Sequence, residues 1–477
     1  MQIKNTLLFS ILLLSSCMVG PDYKRPQFFP TADVKSSLQL SGTEKPVNLE
    51  WYKQFNDPVL NSLIARGLEY SPTVEAARQK LVQSRQNLRI NLVQNFPTLD
   101  AAGTYNKSKV SKNYSTLQPQ DDYYQATVDS AWELDIWGGG RRLTESSLAM
   151  VKAAGANWEN VRLVLTAEIA GNYISLRQAQ EQLRLAQNNL RLQEDIYNLV
   201  KRKYTAGLTD NVALNQAEYL LSTTKQQIPA LAIQVESYKN SLAILTGRLA
   251  GLLDEILSDP EHNLTAQKYV FDTQKLYDLP ISVLRNRPDI RVLENQLISQ
   301  NAQIGRAVAE IFPSVSLSGF VGYRSRSSGN LISSGSSAYA FAPSVNLPLF
   351  RWGALYNNIE LQKSLTKEQL QLYKSGLLEA SAEIRNAMVS LQRNQENNQS
   401  ARQAQTAQTQ VADLTLRKYR EGLLSFSEVL TSQQNLLNSQ NTLVASNAAV
   451  YQNIIAFYKA IGGGYSNHLD QKCASLL

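Results

Sequence analysis

The order of apolar and polar residues divides the chain into short stretches of period two and long stretches of helical period. Leu99, Ala101, Gly103 and Tyr105 alternate with Thr98, Asp100, Ala102 and Thr104. After a polar loop at 106–121, Tyr124, Ala126, Val128, Ser130, Trp132, Leu134 and Ile136 alternate with Gln125, Thr127, Asp129, Ala131, Glu133 and Asp135. Period two over such a length predicts strands with one wet and one apolar face. A third strand is predicted over Ser314 to Arg324, with Val315, Leu317, Val321 and Tyr323 on one face. A Gly/Ser-rich loop separates it from a fourth, whose apolar face is Tyr339, Phe341, Val345, Leu347 and Leu349.

Helical periodicity fills most of the rest. Helices are predicted over 58–70 and 72–95, the second opening on Pro72, which suits a first helical turn. Arg141 to Tyr204 reads as one uninterrupted helix, about 96 Å long at ~1.5 Å per residue. Leu214, Leu221, Ile228, Val235 and Leu242 then recur every seven residues. Ala217, Thr224, Leu231, Tyr238 and Leu245 follow three behind, as the two positions of a coiled-coil seam do. Pro229 lies inside this helix and removes one backbone hydrogen bond. A second long helix is predicted over 354–420. Beyond it, Val429-Leu430, Leu436-Leu437, Leu443-Val444 and Val450-Tyr451 form a wide apolar stripe, as a helix with neighbours on two sides needs. Residues 18–60 and 249–286 read as irregular, and Gly462-Gly463-Gly464 as a stop.

The second half of the chain repeats the first, and such a repeat governs the rest of the reading. Ser71-Pro72-Thr73-Val74 has its counterpart in Arg287-Pro288-Asp289-Ile290, Leu81 in Leu297, and Phe96-Pro97 in Phe312-Pro313, all 216 residues on. Trp137-Gly138 is matched by Trp352-Gly353 at the strand-to-helix junction. Arg202-Lys203-Tyr204-Thr205-Ala206-Gly207-Leu208 is matched by Arg417-Lys418-Tyr419-Arg420-Glu421-Gly422-Leu423. Each copy ends on a glycine able to close a helix in the left-handed conformation, with its cations in the last turn, where the helix dipole favours them. Both copies are therefore expected to be tips of long helical hairpins.

Four strands are too few to close a barrel, and an open sheet edge is not tolerated in lipid. The chain is therefore expected to oligomerise or dock; three copies would supply twelve strands. Asp129, Glu133 and Asp135 are candidates for a barrel lumen with a mild preference for cations, and equally for a solvated wall.

Composition narrows the function. Of 477 residues 43% are hydrophobic and 18% charged, and the net charge of +7 is spread along the chain. No basic patch suggests nucleic acid. With only two cysteines and two isolated histidines no metal cluster is predicted, and no nucleophile–base pair or phosphate loop is present. No cofactor and no enzymatic activity are expected. The N-terminus reads as a targeting segment: Lys4, then an apolar core from Leu7 to Leu14, too short to span a bilayer, then Leu14-Ser15-Ser16-Cys17. That ending resembles a bacterial lipobox, with Cys17 as the lipidated residue. Met18 in place of an aspartate resembles outer-membrane routing.

Cys17-Met18-Val19-Gly20-Pro21-Asp22-Tyr23-Lys24-Arg25-Pro26, the two-fold repeat, the strand pairs and the Tyr-x-x-Gly-Leu tips together resemble the OprM-type, or NodT-type, efflux lipoproteins of the TolC superfamily. The resemblance implies an α+β membrane protein. A trimeric twelve-stranded β-barrel, four strands per protomer, would be continued by a long α-helical coiled-coil barrel with a mixed equatorial region. The expected divisions are a signal peptide at 1–16, a lipidated strap at 17–57, a first repeat at 58–248, a connection at 249–286, a second repeat at 287–461 and a tail at 462–477. The implied partners are a homotrimer, outer-membrane lipid, a periplasmic membrane-fusion adaptor, and an inner-membrane pump of the RND, MFS or ABC type. The implied activity is a passive exit duct for drugs or other small toxic solutes. A protein-secretion duct of the same fold, and a lipid-anchored coiled-coil scaffold without a pore, are the alternatives. Adaptor docking would involve Tyr204, Gly207, Leu208, Tyr419, Gly422 and Leu423. The family's constriction, a leucine, an acid and an arginine, aligns with Ser427, Thr431 and Gln434. The charged ring is thus absent, and the channel is expected to be gated less tightly, or by other residues.

Overall fold

The computed structural model describes residues 18–38, 50–109, 111, 113, 120–258 and 283–464. In order, α1 is Thr31–Leu38, a 3-10 turn is Trp51–Phe55, α2 is Pro58–Tyr70, α3 is Pro72–Val93, β1 is Thr98–Lys109 and β2 is Gln120–Leu134. Then come α4, Gly139–Thr205; α5, Asn211–Leu245; α6, Asp254–Leu257; α7, Val283–Asn286; and α8, Pro288–Ala309. The series ends with β3, Ser314–Ser325; β4, Ser337–Asn346; α9, Trp352–Arg420; and α10, Phe426–Ala460. The residues fall into two compact units: one from 1–26, 80–155 and 292–374, the other from 27–79, 156–291 and 375–477.

Several sequence expectations are corrected. The span 18–60 contains α1 and the 3-10 turn, and 249–286 contains α6 and α7. Ile136 lies outside β2, and β4 stops at Asn346, short of Leu347 and Leu349. As expected, Pro229 lies inside a helix, α5. Cys17, both histidines and Cys473 lie outside the described residues.

In the first unit the sheet has the order β1-β2-β3-β4, antiparallel throughout. Register puts Thr98, Asp100, Thr104, Gln125, Thr127, Asp129 and Glu133 on one face, with Ser316, Ser318, Arg324 and Ser344. The other face carries Leu99, Val128, Trp132, Leu134, Val315, Leu317, Val321 and Val345. Tyr105, Tyr124, Tyr323 and Tyr339 gather at its loop end, and Tyr105 stacks on Tyr124 with ring centroids 4.7 Å apart. An apolar band bordered by aromatics is what a lipid-facing wall requires. Beneath the sheet, Leu81 and Leu88 of α3 pack with Val151 of α4.

The second unit packs α2 and the 3-10 turn on the repeat helices. Trp51 stacks on Tyr458, 5.3 Å between centroids and 6° from parallel. Asp57 caps α2 by accepting from the Leu60 amide, and accepts from the buried Tyr173 hydroxyl at 2.7 Å. That hydroxyl also accepts from Arg177 Nε and Nη2. The coiled-coil seam expected along α5 is at least half-buried at every predicted position.

Candidate functional site

The two hairpin tips lie in the second unit and close in the same way. At the first, the Leu208 amide donates to the Lys203 carbonyl (2.8 Å) and the Gly207 amide to the Tyr204 carbonyl (3.0 Å). At the second, Leu423 donates to Lys418 (2.9 Å) and Gly422 to Tyr419 (3.1 Å). Gly207 and Gly422 hold φ of +68° and +79°, so each tip is the paired-bond glycine stop of a helix. Three residues after each glycine the next helix is capped. Asp210 accepts from the Ala213 amide, and Ser425 forms a reciprocal capping box with Glu428.

Between the tips lies an apolar core. Ile196 and Val200 of α4, Ala213 and Ala217 of α5, Leu416 and Tyr419 of α9, and Phe426 and Val429 of α10 are all buried. Lys203 crosses this junction. Its Nζ donates to the Tyr419 carbonyl at 2.8 Å and lies 4.3 Å from the centroid of the Tyr419 ring. Burial pushes the Tyr419 phenol above its ordinary range.

Equivalent positions are therefore not in equivalent places. Tyr419 is 5% exposed and Tyr204 41%. Gly207, Leu208, Gly422 and Leu423 are exposed, and a Cβ added at either glycine would meet nothing within 4 Å. Ser427, Thr431 and Gln434 are exposed along one face of α10, turned from the packed stripe; Thr431 donates to the Ser427 carbonyl.

In the first unit, Asp129 is half-buried and Glu133 exposed on the polar sheet face, and Asp129 stands directly opposite Asp100. Asp135 lies one residue beyond β2. Its carboxylate accepts from the Gly140 and Arg141 amides at 3.0 and 2.9 Å, and Arg141 Nε lies 3.3 Å away. It thus caps the start of α4, a role its place in the period-two run concealed.

Sequence reasoning expected a strap lying on the folded body but missed the residues that dock 18–25. Arg142, 1% exposed, donates to the carbonyls of Val19 and Gly20 and to Asp22 and Glu145. The Val19 amide donates to the Trp137 carbonyl. Gly20 holds φ of +93° against Gly305, where a Cβ would lie 2.3 Å from the Gly305 Cα. Glu294, nearly buried, accepts from Tyr23 and Arg25. Burial, then the Glu294 charge, pushes the Tyr23 phenol up. The only sequence signal was Arg142 itself, a cation in the first turn of a helix.

Among the described residues no group of three or more metal-ligating side chains occurs, and no helix is long and apolar enough to cross a membrane. The chain resembles nodulation protein T of Rhizobium leguminosarum bv. trifolii, at 28% identity over 96% of this chain and 97% of that one. It is equally similar to the toluene efflux pump outer membrane protein TtgF of Pseudomonas putida, at 28% over 96% of each. Its fold matches the outer-membrane channel OprN with a TM-score of 0.84 at 27% identity, covering 94% of this chain and all of that one. It matches the Campylobacter jejuni CmeC outer membrane channel with a TM-score of 0.87 at 24% identity, covering 96% and 98%. The model of the outer membrane efflux protein family matches residues 63–248 and 279–463, and the chain belongs to that family.

Proposed function

We propose that the chain is the passive exit duct of a tripartite efflux system, conducting drugs or other small toxic solutes from a pump and its periplasmic adaptor across the outer membrane. The observation that carries this is the sheet: one face apolar and bordered by aromatics, the other polar, with β1 and β4 each left with an unpaired edge. Backbone groups at such an edge find no partner in lipid, so protomers must complete one another. Three copies give twelve strands, with the polar face carrying Asp129 and Glu133 turned inward. A lipid on Cys17 adds a second anchor to the barrel. The work is conduction, with no enzymatic step and no cofactor.

The tips are the docking surface for the adaptor. Tyr204, Leu208 and Leu423 present exposed apolar surface there, Gly207 and Gly422 keep the turns open, and the buried Tyr419 supports them from within. Ser427, Thr431 and Gln434 line the constriction as neutral groups. A conductance step in planar bilayers tests the duct; purified trimers that raise no conductance under any condition would favour the scaffold. A very low resting conductance would reject a loosely held neutral gate. Gly422→Asp should abolish pump-dependent export while trimers still assemble, and normal export by that variant would count against docking at the tips.

A further inference from the structure

The hairpin of β1 and β2 reaches beyond the rest of the sheet. Pairing of β2 with β3 ends at Tyr124 and Ser325, whereas β1 and β2 stay paired as far as Lys109 and Gln120. Alternation continues through this overhang. Leu99, Ala101, Gly103, Tyr105, Lys107 and Lys109 share the apolar face, and the neutral Asn106 and Ser108 fall on the polar one. One face of one strand thus runs from apolar through aromatic to cationic. Tyr105, 54% exposed and stacked on Tyr124, marks the border. Lys107 stands ~7 Å and Lys109 ~13 Å beyond it, at ~3.3 Å per residue. Both lysines are exposed, and among the described residues neither ammonium has a partner. Asp122 stands opposite Lys107 and offsets part of its charge; Gln120, opposite Lys109, offsets none.

We propose that Lys107 and Lys109 bind the phosphorylated headgroups of the membrane leaflet that faces away from the helices. The proposal rests on the reading of the apolar face as a lipid-facing wall. Aromatic side chains bordering such a wall sit at headgroup depth. A lysine just beyond the border can lay its stem along the tyrosines and hold its ammonium at the level of the phosphates. The alternation decides whom the charge serves. A cation meant for passing solutes would stand on the inner face, at Asn106 or Ser108; both cations of β1 stand on the outer one. A lysine beside an anionic leaflet is worth about a factor of five in binding, and each protomer brings the pair to the barrel rim.

The test is lipid binding by the full chain, purified in neutral detergent and followed by the rise in its melting temperature. Three lipids are compared: lipid A, lipid A stripped of its phosphates, and phosphatidylcholine. The parent should bind lipid A at least tenfold more tightly than the stripped form. Lys107→Gln with Lys109→Gln should weaken lipid A binding roughly tenfold and leave the other two lipids unchanged, Asp122 having offset part of the gain. Lys107→Arg with Lys109→Arg should keep the parent's preference. Equal binding of lipid A and its stripped form by the parent would overturn the patch while leaving the lipid-facing wall standing, and this comparison decides even if the glutamine variant fails to assemble. Full lipid A preference in an assembled glutamine variant would overturn it too. Displacement of lipid A by millimolar inorganic phosphate would mark a free-anion site and overturn the leaflet as occupant. A parent stabilised by none of the three lipids would overturn both the patch and the wall.

Discussion

The ammonium of Lys203 donates to the carbonyl of Tyr419 across 216 residues of sequence, and the same ammonium lies over the Tyr419 ring. That carbonyl also accepts the Gly422 amide. It belongs to the last turn of α9, where unpaired carbonyls carry the negative end of the helix dipole. One lysine thus neutralises a helix end, covers an aromatic ring and ties two hairpins together.

Lys203→Met keeps the apolar stem and removes the cation. A charged hydrogen bond and a cation–π contact at a half-buried site are together worth about 2 kcal/mol. Amide exchange over 416–425 should therefore quicken by roughly tenfold or more, since each ~1.4 kcal/mol is a factor of ten. Lys418→Met should leave exchange at 416–425 unchanged in the monomer. Equal effects there would show that Lys203 holds no more than its counterpart does.

The fold was legible wherever one periodicity ran long enough. The strand pairs, α4, α9 and both glycine tips could be read because alternation, heptads and left-handed glycines act within a few residues. What could not be read depends on contacts between distant residues. Tyr204 and Tyr419 occupy the same place in matching motifs, yet only Tyr419 is buried, because only its hairpin is met by a lysine from within the chain. Asp135 continues the alternation of β2 in sequence and leaves it in space, because two amides at the start of α4 attract its carboxylate more strongly than another strand position would. Leu347 and Leu349 keep the pattern of β4 where no neighbouring strand is present to pair with them.

Glu159 supplies a pH dependence. Burial pushes its carboxyl above the usual range, and Arg162, 3.2 Å away, only partly offsets this. The folded state therefore holds this proton more tightly than the unfolded chain does. Below the ordinary carboxylate pKa both states are protonated and the group contributes no slope. As pH rises through that value the unfolded chain releases its proton first, so stability falls until the folded group ionises too. Glu159→Gln should remove this fall. Melting temperatures of the two proteins between about pH 4 and 7 should diverge upward in favour of the variant; parallel curves would assign the slope to other groups.

Gly20→Ala addresses the strap. The added methyl would lie 2.3 Å from the Gly305 Cα, main chain against main chain, where neither side has a flexible end to yield. The φ of +93° adds strain for any residue with a Cβ. Relief requires residues 18–22 to lift, which strips Arg142 of its bonds to Val19, Gly20 and Asp22 and leaves a buried cation with Glu145 as its remaining ion-pair partner. Losing such bonds at a buried charge costs about 3 kcal/mol or more. Lys24, held in the docked strap two residues from Asp22, should then be cut by trypsin at concentrations that leave the parent intact, while β1 to β4 keep their strand signal by circular dichroism. Gly305→Ala pushes on the other side of the strap dock, where its Cβ would meet the Arg142 side chain at 2.7 Å, and should expose the same bond. A strap that stays protected in both variants would show that Arg142 and Glu294 hold it without the glycine contact.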